Sequence, residues 1–331
     1  MRINPALRRY EDTEIHETVP ETEIKIQSYE KNQLTKEDRC IFDIYNIPPA
    51  YINALRRTLL ADVPSMAFDL VGIDQNTGVM PDEVMCHRIG LIPIDVDSSK
   101  FNFPPETPNP QTEDTNDIVL LFGLHVIEGE GPDPDYNGVS SEWEGELPPI
   151  YVPHGIVTSG QFVWMPYPGQ TEMFPEPPKL LHDNIEITHL TAGQEVHLYA
   201  RAYKGIGATH SKFSPVCTAY YRSLPHIEVD QEGLDLLDRE KIAKSCHCGV
   251  FDIEDGYISV VNPRACTMCR ECTRDKKLGP HVILGTEPNN YEFTVESIGV
   301  KSSPQLFKEA LDVLKDKARS MREEVEQATP Q

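Results

Sequence analysis

The sequence contains no apolar stretch approaching the roughly 18 residues that a membrane-spanning helix needs. Its start, MRINPALRRYEDTEIHE, carries charges throughout and lacks the apolar core of a secretory signal. Basic residues are also scarce, since 30 Lys and Arg stand against 53 Asp and Glu and give a net charge of −23. Such a field repels phosphate, which argues against nucleic-acid binding as the main activity. We therefore expect an intracellular protein whose partners are other proteins.

Recognisable catalytic patterns are missing as well. No nucleophile elbow, P-loop or HExxH pattern organises the Ser, His and Asp residues of the chain. The acidic run from Glu142 to Glu146 is more typical of a solvated loop than of a magnesium site. We expect no catalytic residues here.

Cysteine is absent between Cys86 and Cys217 but dense near the end of the chain. Five of the 8 cysteines lie between positions 246 and 272. A chain without a secretory signal should keep its thiols reduced, so the cluster indicates a metal rather than disulfides. Cys266, Cys269 and Cys272 are spaced by two residues and can converge on one centre. Cys246 or Cys248 could supply a fourth ligand across an intervening pair of strands, and a metal-free group of thiols stays open.

Alternating apolar and polar residues predict strands near both ends of the chain and in its middle. The segments are 23–27, 40–45, 68–73, 185–187, 196–203 and 291–297. Between Lys100 and Lys179 there is no Lys or Arg, and Pro, Gly, Asp and Glu surround short apolar runs at 118–122 and 162–165. This composition predicts an inserted domain with long acidic loops.

A helix is predicted after Pro48 and Pro49, where the apolar period changes from that of a strand to that of a helix. Its stripe consists of Ile52, Leu55, Leu59, Leu60 and Val63, and Pro64 ends it. Two adjacent arginines in its middle are compatible with a simple solvated face. They could also dock the helix on a neighbouring protein through carboxylates. The candidate partner-binding residues are Asn53, Arg56, Arg57 and Leu59.

A second helix is predicted at the C-terminus, where Ser303 can cap and Pro304 can open it. Apolar residues then alternate at spacings of four and three, which forms a heptad seam. The seam consists of Phe307, Leu311, Leu314, Ala318, Met321 and Val325. It could pack on its own domain, but its length and charged opposite face favour a partner helix.

The stretch NALRRTLLADVPSMAFDLVGIDQNTGVMPDEVMCHRIGLIPI at 53–94 resembles the signature of α-like RNA polymerase subunits. FSPVCTAYYRSLP at 213–225, NPRACTMCREC at 262–272 and YEFTVESIG at 291–299 extend the resemblance. The region between Ser98 and Ala208 shows much less of it. The resemblance implies an α+β fold with a discontinuous dimerisation domain, built from a sheet and two long helices, over 1–68 and 222–331. A mostly β insert domain would occupy 69–221.

The same resemblance implies a non-catalytic scaffold in the nucleus. The chain would pair with a smaller α-like subunit, and the heterodimer would seat the second-largest polymerase subunit. Small zinc-binding polymerase subunits would be further partners, and neither sequence-specific DNA nor a membrane would be bound directly. The version shared by polymerases I and III is favoured. The polymerase II counterpart carries a cysteine-rich zinc loop in its insert, whereas this sequence has no cysteine between Cys86 and Cys217. An archaeal D-type or polymerase II subunit stays an alternative.

Some relatives carry an iron–sulfur cluster at a similar cysteine arrangement, whose first cysteine stands five residues before a Phe, as Cys246 stands before Phe251. The resemblance therefore implies Cys246, Cys266, Cys269 and Cys272 as ligands. Zinc with Cys248 or His247 as the fourth ligand is the rival. A protein of another class, an iron–sulfur electron carrier, is disfavoured because the run after Cys272 lacks the Cys-Pro of bacterial ferredoxins.

Overall fold

The computed structural model describes residues 21–105, 115–130 and 147–328, and within them the fold is a mixture of sheets and a few helices. The helices are α1 (Pro49–Ala61), α2 (Asp82–Gly90), α3 (Gln170–Met173), α4 (Leu236–Ser245) and α5 (Ser303–Ala328). The strands are β1 (Glu23–Lys31), β2 (Asp38–Tyr45), β3 (Pro64–Asn76), β4 (Ile94–Asp95), β5 (Val119–Glu128), β6 (Ile150–Val152), β7 (Ile156–Thr158), β8 (Val163–Met165), β9 (Lys179–Leu180), β10 (Glu186–His189), β11 (Glu195–Ile206), β12 (Val216–Val229), β13 (Phe251–Glu254), β14 (Tyr257–Val260) and β15 (Val282–Ser297). The α+β expectation is confirmed.

The described residues divide into two compact units. The cysteine unit comprises 21–25, 43–48 and 223–291, and the main unit comprises the described parts of 26–42, 49–222 and 292–328. These limits differ from the two predicted domains, 1–68 with 222–331 and 69–221, which stay a prediction. The acidic run at 142–146 lies outside the described residues.

The main unit contains an antiparallel sheet centred on β11. This strand pairs with β3 on one side and with β5 on the other, and β5 also pairs with β6 and β8. Alternate residues of β11 face the core, so that Val196, Leu198, Ala200 and Ala202 are fully buried. Helix α2 was not predicted from the sequence, and it adds two buried side chains four residues apart, Met85 and Ile89. The strands predicted within this region are present.

Another sheet has the strand order β1-β2-β15-β12. In the main unit, Phe42 of β2 stacks on Phe307 of α5 with ring centroids 4.5 Å apart. Helices α1 and α5 contact each other, and Lys317 Nζ lies 2.7 Å from the Asp62 carboxylate. The two long helices predicted from the sequence are confirmed.

The cysteine unit is built from α4 and the hairpin of β13 and β14. Its core contains Ile242 from α4, Phe251 and Ile258 from the hairpin and Leu278 from the following loop. The Asp235 carboxylate accepts the backbone N–H of Asp238 at 2.7 Å and so caps α4. No helix among the described residues is long and apolar enough to cross a membrane.

Candidate functional site

The heptad seam of α5 divides at Ala310. Up to this residue the helix is packed on its own unit, where Leu306, Phe307 and Ala310 are buried. Beyond it the apolar residues face outward: Leu311, Met321 and Val325 are 43%, 68% and 66% exposed, and Leu314 is half-buried. Phe307 is thus a core residue in this structure, whereas Leu311, Leu314, Ala318 and Met321 lie on an accessible stretch. We call residues 311–328 the projecting part of α5.

Charged side chains on the projecting part pair with one another. Arg319 donates to Asp316 at 2.9 Å, and Arg322 donates to Glu326 at 2.8 Å. These pairs at spacings of three and four stabilise the helix locally. Of the apolar residues of the projecting part, Leu311 and Met321 are exposed to solvent. A partner helix would bury them.

Helix α1 presents a different surface. Its predicted stripe faces inward, and Ile52, Leu55 and Leu59 are almost fully buried within the main unit. Leu59 therefore lies in the core rather than on a free docking face. The exposed side includes Tyr51, which is 66% exposed and which the pattern did not single out. Nothing in its spacing distinguishes Tyr51 from a residue of the solvated face.

The two arginines of α1 differ in their contacts. Arg56 turns back along the helix, and its Nε and a terminal nitrogen donate to Asn53 Oδ1 at 3.1 and 3.0 Å. Arg57 is exposed and makes no hydrogen bond or ion pair within the described part of the chain. Its guanidinium is therefore available to a carboxylate of another protein.

The cysteine run lies on a tightly turned loop of the cysteine unit. Met268 and Arg270 have positive φ angles of 57° and 62°, which are uncommon for residues other than glycine. Met268 lies between Cys266 and Cys269, and Arg270 lies between Cys269 and Cys272. The Met268 N–H donates to Cys266 Sγ at 3.4 Å, as it could to a thiolate.

The electrostatics show which cysteine joins this loop. Burial raises the pKa of Cys272, and the neighbouring thiols of Cys266, Cys246 and Cys269 raise it further. Cys246 follows directly after the end of α4, and its side chain packs against the same core as Cys266 and Cys272. Cys248 is exposed and is not among the groups that act on Cys272. The structure thus gathers Cys246, and not Cys248, with the run.

The thiols are near one another without forming a closed ligand sphere. No three His, Cys, Asp or Glu side chains of the described residues are placed closely enough to hold a metal ion. The thiols can nevertheless affect the pKa of Cys272, because charge acts across greater distances than a zinc–sulfur bond of about 2.3 Å. The donor set fits a soft metal or an iron–sulfur group, but the thiols would have to draw closer together to bind it.

An ion pair with a buried carboxylate lies at the start of the cysteine loop. Arg264 donates to Asp43 Oδ1 at 2.9 Å and also contacts Oδ2, while Tyr45 Oη donates to Oδ2 at 3.1 Å. Asp43 lies on β2 and its side chain is fully buried. Arg264 and Tyr45 thus both donate to the buried Asp43 carboxylate, and replacing Asp43 would remove the acceptor of both. No local pattern indicates this pair, because its members stand 221 positions apart.

Comparison with known proteins identifies similar chains. The family model described as the RNA polymerase Rpb3/Rpb11 dimerisation domain matches residues 41–318. The chain is 34% identical over 306 residues to "DNA-directed RNA polymerases I and III subunit rpac1" of Dictyostelium discoideum, covering 91% of this chain and 81% of the relative. It is 37% identical over 296 residues to the human subunit RPAC1 of polymerases I and III, covering 88% and 82%. The archaeal subunit Rpo3 of Archaeoglobus fulgidus is 30% identical over 294 residues, covering 88% and 96%.

Proposed function

The chain belongs to the RNA polymerase Rpb3/Rpb11 dimerisation-domain family, and we propose on this premise that it is the scaffold subunit shared by RNA polymerases I and III. It pairs with the smaller α-like subunit, and the heterodimer seats the second-largest subunit. The observation that carries the proposal is the projecting part of α5, where Leu311 and Met321 are exposed in the isolated chain. A helix with such a seam is stabilised when a second helix covers it.

The choice of polymerases I and III rests on two features. Relatives named as subunits of these two enzymes are 34% and 37% identical to the chain, whereas an archaeal Rpo3 is 30% identical. The sequence also has no cysteine between Cys86 and Cys217, where a polymerase II counterpart would carry its zinc loop. We place the protein in the nucleus on the same grounds.

The subunit contributes to transcription by positioning other subunits, and nucleotide addition takes place elsewhere in the enzyme. Its net charge of −23 supports contacts with proteins rather than with the DNA template. Arg57 of α1 is a second contact point, suited to a carboxylate on the second-largest subunit. Small zinc-binding polymerase subunits are further partners.

Cys246, Cys266, Cys269 and Cys272 bind zinc or an iron–sulfur cluster in this proposal. The role of the group is structural, because a metal bound only by the folded state contributes its binding free energy to folding. The chain's own residues hold the thiols in place, through the two left-handed turns of the loop and the ion pair of Arg264 with Asp43. Three cysteines already pack against the core of the cysteine unit, which limits access of water to them.

Affinity purification of the tagged full chain followed by mass spectrometry tests the assignment. We expect to recover the smaller α-like subunit and the two largest subunits of both polymerases I and III. Recovery of only the polymerase II set would overturn the choice of enzymes, and recovery of electron-transfer partners without polymerase subunits would favour the iron–sulfur carrier.

Anaerobic purification tests the metal. Elemental analysis should find zinc or iron, and iron would add thiolate-to-metal absorbance. Cys266→Ser should lower the metal content, whereas Cys248→Ser is the matched control and should leave it unchanged, because Cys248 stands apart from the group. Metal-free protein with normal heterodimer yield would leave only a cluster of thiols.

A further inference from the structure

Helix α5 is buried in its first turns and is held beyond them by the ion pair of Lys317 with Asp62. Its 26 residues correspond to about 39 Å of helix, of which the projecting part is about 27 Å. A tilt of about 5° at the base would displace the far end of a helix of that length by about 2 Å. Knobs-into-holes packing of a partner helix does not tolerate such a displacement along the whole seam. The contacts of the first turns of α5 therefore affect where the seam is presented.

The first turn of α5 is bound by a carboxylate from a distant part of the chain. Asp38, at the start of β2, accepts the backbone N–H of Ser303 at 2.8 Å and also the Ser303 hydroxyl on the same oxygen, Oδ1. The Ser303 hydroxyl also lies 3.1 Å from the Asp38 carbonyl oxygen. Ser303 was expected to cap the helix with its own side chain, but its hydroxyl instead contacts Asp38.

The second oxygen of Asp38 is occupied too. Tyr29 of β1 donates its hydroxyl to Oδ2 at 3.0 Å. Asp38 is 5% exposed and Ser303 is fully buried, so few water molecules compete for these contacts. Burial and the nearby Asp38 carboxylate both raise the pKa of Tyr29, which keeps the phenol protonated as a donor. A negative charge at this place also interacts favourably with the helix dipole, whose positive end is the N-terminus.

Residues near the Asp38 carboxylate further restrict the movement of the first two turns of α5. Lys301 Nζ lies 2.9 Å from Glu309 Oε2 and 3.2 Å from Ser98 Oγ, and its side chain is 10% exposed. These contacts join the approach to α5 and its second turn to the main unit. Asp38 is the group among them that bonds directly to an N-terminal backbone donor of the helix.

We propose that Asp38 is a positioning residue for partner binding: its buried carboxylate sets the direction of α5 and thereby the place where the projecting part meets the partner helix. The inference rests on the proposed pairing of α5 with the smaller α-like subunit. Asp38 touches no partner in this view and acts only through the base of the helix.

The test uses the full chain coexpressed with the smaller α-like subunit. Asp38→Ala removes the acceptors for the Ser303 and Tyr29 donors, and we expect about a tenfold weaker heterodimer, the size associated with losing a helix cap. Hydrogen exchange should become faster at the amides of the first turn of α5, while β11 in the same unit keeps its protection. Asp38→Asn retains one acceptor oxygen and should restore part of the affinity.

The control is Asp69→Ala, which removes another carboxylate of the main unit, a half-exposed one that pairs with Lys212. It should change neither the affinity nor the exchange of α5. If Asp38→Ala fails to fold, Ser303→Ala removes only the hydroxyl and should still accelerate exchange at the first turn. Unchanged affinity and unchanged α5 exchange in the Asp38 variants would overturn the inference. Leu311→Asp separates it from the proposed function, since an intact heterodimer with that variant would contradict the pairing itself.

Discussion

Helices α1 and α5 carry similar apolar stripes, but the fold uses them differently. The stripe of α1 is buried in the folded chain, where Ile52 and Leu59 are fully buried. The stripe of α5 is fully buried only as far as Ala310, whereas Leu314 is half-buried and Leu311 and Met321 are exposed. An apolar stripe thus predicts that a helix face is buried, but not whether its own chain or a partner protein buries it. The available packing surface, which only the folded chain defines, decides between a core helix and a docking helix.

Replacing Phe307 should have the largest effect on the isolated chain. Its ring stacks on Phe42 and meets Phe293 edge to face, with centroids 5.9 Å apart. We expect Phe307→Ala to lower the free energy of unfolding of the free chain by about 3 to 5 kcal/mol, as for other buried aromatic residues. Urea denaturation followed by circular dichroism measures this. A free chain of normal stability would place Phe307 with the partner seam instead.

Leu314 lies on the other side of the division, and Leu314→Glu should leave the free chain folded. In the heterodimer the new charge would be buried without a partner, so we expect a loss of about 2 to 4 kcal/mol in the free energy of association. Titration calorimetry with the smaller α-like subunit measures it. The matched control is Lys315→Glu, because Lys315 is exposed and lies outside the seam. Equal effects of the two variants would argue against a seam.

Arg57 and Arg56 sharpen the comparison on α1. Arg57→Ala should weaken docking of the second-largest subunit by about 1 to 2 kcal/mol, if it loses a charge-assisted hydrogen bond there. Arg56→Ala loses only the contact with Asn53 and should change docking less. Pull-down of the second-largest subunit by the purified heterodimer gives the order of the two effects. A larger loss with Arg56→Ala would reverse the assignment.

The smallest effect is expected for the ion pair that joins the two helices. Asp62→Asn removes the partner of Lys317, whose side chain is half-exposed. Surface ion pairs contribute about 0 to 1 kcal/mol, so the melting temperature of the free chain should fall by no more than a few degrees. The melting temperature should also depend less on salt concentration than that of the unmodified chain. A large loss would mean that the pair, rather than the apolar contacts, holds α5 on α1.

Prediction from the sequence succeeded where one periodic pattern extended over many residues. Helices α1 and α5 and the strands β2, β3 and β11 were all found in this way. Helix α2 was missed because only two of its residues, Met85 and Ile89, turn inward. Helix α4 was missed because its two leading leucines, Leu236 and Leu237, are exposed while Asp238 and Ile242 are buried, so its polarity does not follow its burial.

The sequence by itself determined the family, the periodic elements and the excess of negative charge, because these depend on neighbouring residues or on totals. Only the tertiary structure decided that Leu59 and Phe307 belong to the core and Leu311 and Met321 do not. It alone brought Asp38 to Ser303 across 265 positions. A buried carboxylate needs donors that enclose it, and such donors can come from any part of the chain, so no local pattern announces them.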